Sequence, residues 1–128
     1  MRGYEYLKNK GYDDEYTNIC LTYSYLNNDI VCTAGGVQNP KDNPFLTNFI
    51  KNHEYTIEEK LINLCDLMCP QGNKVFTIDK RLIDIMIRRG TYSNTQYHIK
   101  ETYKLKEYFD NLLGYNLYDL FPKIKENL

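Results

Sequence analysis

A chain of 128 residues with 42% hydrophobic and 26% charged side chains has the length and balance of one folded domain, 1–128, with a core of its own, not of a disordered segment. Its formal net charge of −1 supplies no global field that would select nucleic acid or an anionic membrane surface. Thirteen tyrosines and no tryptophan predict rings half-buried at the core margin, because tyrosine joins an apolar body to a polar tip; a nucleic-acid stacking surface needs a basic groove beside the rings, and the sequence offers none.

Residues 2–10 read as a short helix stopped at Gly11. Asp13 and Asp14 open a second helix, where carboxylates are favourable against the N-terminal dipole. Its apolar positions Tyr16, Ile19, Cys20 and Tyr23 follow three-four spacing. Turn formers then dominate residues 26–44, which predicts a long irregular connection. The Gly35–Gly36 pair inside it lacks the strand and the downstream lysine–hydroxyl pair of a phosphate loop, so a flexible surface loop is expected. Asp29–Thr33 shows the one weak alternation of apolar and polar residues.

Phe45–Asn52 predicts a short helix with Phe45, Phe49 and Ile50 apolar. Thr56 followed by Glu59 is a capping box, and the helix it opens runs to about Cys69, ahead of Pro70 and Gly72. A further helix starts near Thr77, carries the stripe Ile78, Leu82, Ile85 and Met86, and ends at Gly90. Ser93 with Gln96 reads as another capping box, opening a helix with Thr102, Leu105, Phe109 and Leu112 on one stripe and an end at Gly114. Asn116 caps a last short helix through Leu120 and Phe121, interrupted at Pro122. The expected fold is all-α, about seven short helices with no convincing strand.

No apolar run reaches the ~20 residues that span a bilayer, and Met1-Arg2-Gly3-Tyr4-Glu5 contains no apolar signal core, so a cytoplasmic chain without membrane contact is expected. Cys20, Cys32, Cys65 and Cys69 are then expected as reduced thiols packed as small apolar groups. Cys65 and Cys69 stand four apart rather than at the gap of a zinc knuckle. His53 and His98 are the only histidines, and a structural zinc site is not expected. Both histidines read as surface or loop-edge groups rather than bases.

One residue stands out. Leu61-Ile62-Asn63-Leu64-Cys65-Asp66-Leu67-Met68 is apolar almost all round, as in a helix buried on more than one side, yet it carries Asp66. A carboxylate buried there must be paired, protonated or bound to a metal; alternatively it occupies a structural pair or a partly solvated edge.

This run resembles the last metal-ligand helix of the HD-domain phosphohydrolases, an apolar helix carrying one Asp in an "aliphatic-x-Leu-Cys/Ala-Asp-x-Leu" pattern. Gly3 to Tyr12 and Ile19-Cys20-Leu21-Thr22-Tyr23-Ser24-Tyr25 are similar to middle helices of bacterial HD proteins. Asp79-Lys80-Arg81-Leu82-Ile83-Asp84-Ile85 is similar to their "Glu-Lys-Arg-Leu-Val-Asp" segment. Lys106–Phe109 and Tyr118–Pro122 continue the likeness in order. The resemblance implies a helical bundle in which Asp66 ligates a divalent metal of the Mn, Mg, Fe, Ni or Zn type. That metal polarises a phosphate ester and activates a water.

The family also uses an early His and a His-Asp doublet. Here His53 precedes Glu54 and His98 precedes Ile99, so no doublet occurs, and the likeness begins downstream of it. Tyr23 stands where many relatives have a His in "Leu-Thr-His-Ser". Tyrosine is a poor ligand for the same ion unless deprotonated. One carboxylate does not hold a catalytic divalent ion, so no firmly bound cofactor is expected. Lys80 and Arg81, near the start of the next helix, are candidate phosphate holders; otherwise they are solvated charges, or Arg81 pairs with Asp84.

Two expectations follow: a truncated or degenerate, incomplete HD-like bundle, inactive as a phosphohydrolase alone, or a non-catalytic helical interaction module on the same scaffold. Either leaves apolar surface to be covered by self-association, a missing N-terminal segment or a partner chain.

Overall fold

A computed structural model of the chain describes residues 2–31 and 39–128. Cys32, Gly35, Gly36 and the end of the Asp29–Thr33 alternation lie outside the described residues. Seven α-helices follow in chain order: α1 (Arg2–Asn9), α2 (Asp14–Thr17), α3 (Ile19–Thr22), α4 (Pro44–Asn52), α5 (Ile57–Met68), α6 (Ile78–Arg89) and α7 (Thr95–Leu113). Three 3-10 helices, Leu26–Asn28, Leu117–Leu120 and Pro122–Asn127, complete the set, and no strand occurs among the described residues. The fold is all-α. Among the described residues no helix is long and apolar enough to cross a membrane.

The second predicted helix is divided at Asn18, where Leu21 N bonds Asn18 O in a tightened turn at 2.9 Å. Its buried face is also one step round from the tyrosine stripe. Thr17, Leu21 and Thr22 are buried while Tyr16 and Tyr23 are exposed. The hydroxyl tips go to water, and the smaller side chains take the inner face. The same preference runs through the chain. Tyr55 alone among the described tyrosines is fully buried, and nine are exposed, more than the half-buried expectation allows.

Helix α4 starts at Pro44 with the Asn43 side chain accepting from Leu46 N, a proline at the one position where its missing donor costs nothing. Leu46 and Ile50 form its buried face, and Phe45 is exposed against Tyr4 and Phe49. In α5 both halves of the capping box form, Glu59 N to Thr56 Oγ1 at 3.1 Å and Thr56 N to Glu59 Oε1 at 3.2 Å. Helix α6 is capped by the Thr77 side chain on Lys80 N and buries Ile78, Leu82 and Ile85 as expected.

The Ser93–Gln96 capping box does not form. Helix α7 begins at Thr95, whose hydroxyl accepts from Tyr92 N. The Asn94 amide turns away to Asp29 and to Val31 O. Asn116 caps the 3-10 turn after α7, and Pro122 opens the next 3-10 helix rather than only ending the last one.

Two apolar clusters form the core. The larger unites Leu64, Leu67 and Met68 of α5 with Ile78, Leu82 and Ile85 of α6, Phe109 of α7, and Leu26, Leu117 and Ile124. The smaller holds Leu21, Ile30, Leu46 and Ile50. Polar bonds tie α5 and the turn before it to the end of α3 and the segment after it: Asn63 Nδ2 donates to Thr22 O at 2.6 Å, and Tyr55 OH to Tyr25 O at 2.7 Å.

Candidate functional site

Asp66 occupies the solvent-facing strip of α5. Asn63, Leu64, Leu67 and Met68 are buried, whereas Asp66 is exposed, so the partly solvated edge is where the carboxylate resides. Among the described residues its side chain makes no hydrogen bond or ion pair. Partial burial pushes its carboxyl upward, and the Arg81 charge opposes that shift. Cys65 and Cys69 flank it as free thiols, both raised, first by desolvation; Asp66 adds to the rise at Cys69. No group of three or more His, Cys, Asp or Glu side chains able to hold a metal converges among the described residues.

Arg81 is committed to structure. Its Nε donates to Leu67 O at 2.9 Å, one of the carbonyls left without a partner at the end of α5. Its guanidinium pairs with Asp84 Oδ2 at 2.8 Å, and Arg88 holds the other oxygen of Asp84 at 3.2 Å. Lys80 lies over the Phe76 ring, 4.7 Å from its centre, and donates to Asn127 O. Tyr23 is exposed at the end of α3, and no hydrogen bond joins it to Asp66. Of the four predicted site residues, Asp66 and Arg81 come within electrostatic reach of each other.

The polar constellation of the fold lies elsewhere. His98 of α7 is 1% exposed, which corrects its expected place at the surface. Its Nε2 lies 3.1 Å from Asp29 Oδ2 and its Nδ1 3.1 Å from Asn27 Nδ2. With the Asn27 amide donating to Nδ1, the proton belongs on Nε2, facing the carboxylate; that tautomer is assigned from the network. Both ring nitrogens are occupied, so His98 anchors the Asn27–Asp29 turn to α7.

His53 forms a second pair, its Nε2 2.9 Å from Glu59 Oε1, with its ring stacked 4.7 Å from Phe49. Burial pushes the Glu59 carboxyl up, but bonds from His53 and the Thr56 amide, with the Thr22 hydroxyl close by, hold it below its ordinary value. Thr22 Oγ1 acts from beside the carboxylate without completing a hydrogen bond of normal geometry.

Between the Asn27–Asn28 turn, α5 and α7 opens a cleft of about 340 Å³. Tyr55, Tyr97 and Tyr108 line it, with Leu26 and Leu105 as apolar wall and Asn63 on α5. Lys60 and Lys104 stand at its edge, and Lys104 pairs with Glu101 at 3.1 Å. The cleft joins residues up to 82 positions apart (Leu26 to Tyr108), so no local motif announces it. His98 did leave a signal: it extends the Thr102, Leu105, Phe109 stripe by one turn.

Set against family models, curated proteins and solved structures, the chain matches none of them.

Proposed function

We propose that the chain is a degenerate relative of the HD-domain phosphohydrolases that acts as a non-catalytic helical interaction module. The ordered likeness of its segments supports the scaffold. The surroundings of Asp66 carry the loss of hydrolysis: the one carried-over ligand is exposed, no group of three or more metal-ligating side chains forms among the described residues, and Arg81 spends its guanidinium on Leu67 O and Asp84. A divalent ion held by one monodentate carboxylate exchanges into water, because catalytic sites need several ligands in fixed geometry. The interaction role is supported by Ile83 and Ile87, one turn apart on the outer face of α6 and 55% and 80% exposed. A second copy or a partner protein is the occupant this reading requires.

Metal analysis after dialysis against manganese, with a generic phosphatase assay in the same buffer, tests the reading. The expected results are substoichiometric metal and no manganese-dependent turnover, both unchanged in Asp66→Ala. Stoichiometric metal or phosphatase activity that Asp66→Ala abolishes would restore the hydrolase reading.

A further inference from the structure

We infer that the cleft between α5, α7 and the Asn27–Asn28 turn is a binding site for a small planar anion that also carries an N–H donor, of the aromatic or heteroaromatic carboxylate class. Its volume of about 340 Å³ falls at the lower end of the ~300–1,000 Å³ of small-molecule sites and suits one or two fused rings with a short substituent.

Three asparagines face the cleft, and each spends its amide nitrogen on the fold. Asn63 Nδ2 donates to Thr22 O at 2.6 Å and Asn27 Nδ2 to His98 Nδ1 at 3.1 Å. Asn28 Nδ2 donates to Ile50 O at 2.9 Å and His53 O at 2.7 Å. Their three Oδ1 atoms receive no donor among the described residues. Asn63 is 3% exposed and lines the cleft; its Oδ1 is not among the enclosed atoms left without a partner, so it opens onto the cavity, where a ligand N–H can take the place of water as its donor. Asn27 and Asn28 reach their bonds from the left-handed region, with φ of 59° and 58°, where asparagine is tolerated better than other side chains. The turn thus holds both amides with their nitrogens turned into the protein.

The remaining lining selects the rest of the ligand. Tyr55, Tyr97 and Tyr108 supply ring surface for a planar group. Lys60 and Lys104 against the single Glu101 leave one net positive charge at the edge, which favours a monoanion and repels a cation. A carboxylate set on a fused ring with an N–H places its donor toward the asparagines and its charge toward the lysines.

The chain has no tryptophan, so an indole ligand can be excited outside the tyrosine band without protein background. The experiment titrates the full chain into indole-3-acetate, naphthalene-1-acetate or tryptamine and reads ligand fluorescence anisotropy. Amide chemical shifts are followed in parallel. Indole-3-acetate should bind saturably, with shifts at Asn63, Tyr97 and Lys104. Naphthalene-1-acetate, which keeps shape and charge but lacks the N–H, should bind about tenfold more weakly, the equivalent of one hydrogen bond. Tryptamine, with the charge reversed, should be weaker still. Lys60→Gln, at an exposed position, should weaken the acid several-fold while leaving the helical circular dichroism unchanged. The inference is overturned by absence of saturable binding, by equal binding of the three probes, by shifts confined to another surface, or by a folded Lys60→Gln that binds as well as wild type.

Discussion

Asp66 and His98 exchange the places their neighbours in sequence imply. A carboxylate in an apolar run reads as buried, yet Asp66 falls on a solvent-facing strip of α5. A histidine among Tyr97, Lys100 and Glu101 reads as exposed, yet it is enclosed by Asp29 and Asn27. Replacing His98 with Leu keeps the bulk but leaves the Asn27 amide unmet and takes one of the two donors from Asp29 Oδ2, which keeps Asn94. The expected loss is about 2 kcal/mol or more, read from urea denaturation, since an orphaned partner carries its full desolvation penalty. A change within error would show that the turn does not need this anchor.

Glu59 makes a prediction of pH dependence. Its folded-state pKa lies below the ordinary 4.5, so its contribution to stability is fully present above that value and is lost as pH falls through the depressed folded value. Glu59→Gln keeps the capping geometry but not the charge. Wild type should therefore lose more denaturation free energy than Glu59→Gln between about pH 7 and pH 3; parallel losses would assign the acid sensitivity elsewhere.

At the scale of elements, caps and glycines decide where helices stop and start. Removing the Thr56 hydroxyl in Thr56→Ala should cost about 1 kcal/mol, the usual worth of an N-cap. Gly114 ends α7 in the left-handed region at φ 79° and ψ 9°, whereas Gly90 ends α6 at φ 77° and ψ −164°. Alanine at either position meets open space, so backbone strain alone distinguishes them. Gly114→Ala should cost about 1 kcal/mol, and Gly90→Ala more, because its region is nearly closed to any side chain. Equal losses by calorimetry would contradict the assigned conformations.

These punctuation marks are local chemistry, which is why α4, α5, α6 and the end of α7 were legible in the sequence. The start of α7 was not, because Asn94 forgoes capping to bond Asp29, 65 residues away. The cleft was illegible for the same reason. Asn27 and Asn28 read as turn formers until α7 and the end of α4 give them partners. Asp66 was legible as an unusual residue, but its exposure depends on which side of α5 the α6–α7 pair covers, and periodicity in an almost wholly apolar run does not fix that side.

At the scale of the whole molecule, two apolar clusters of buried side chains form the core, so the apolar side chains that stay exposed are informative. Ile83 and Ile87 lie on the face of α6 opposite Leu82 and Ile85, which build the core. Burying such a side chain fully yields about 1.5–3 kcal/mol, too little alone for a stable dimer, so a self-association through this face must recruit surrounding surface. Light scattering with size exclusion should show a concentration-dependent dimer. Ile87→Glu should shift it toward monomer with unchanged helical content, because a charge in a closing apolar contact is desolvated without a partner. The same substitution should leave monomer stability within about 0.5 kcal/mol, since the position is exposed. A monodisperse monomer at high concentration would remove the second copy as the occupant of this face and leave a heterologous protein as the only partner the interaction reading admits.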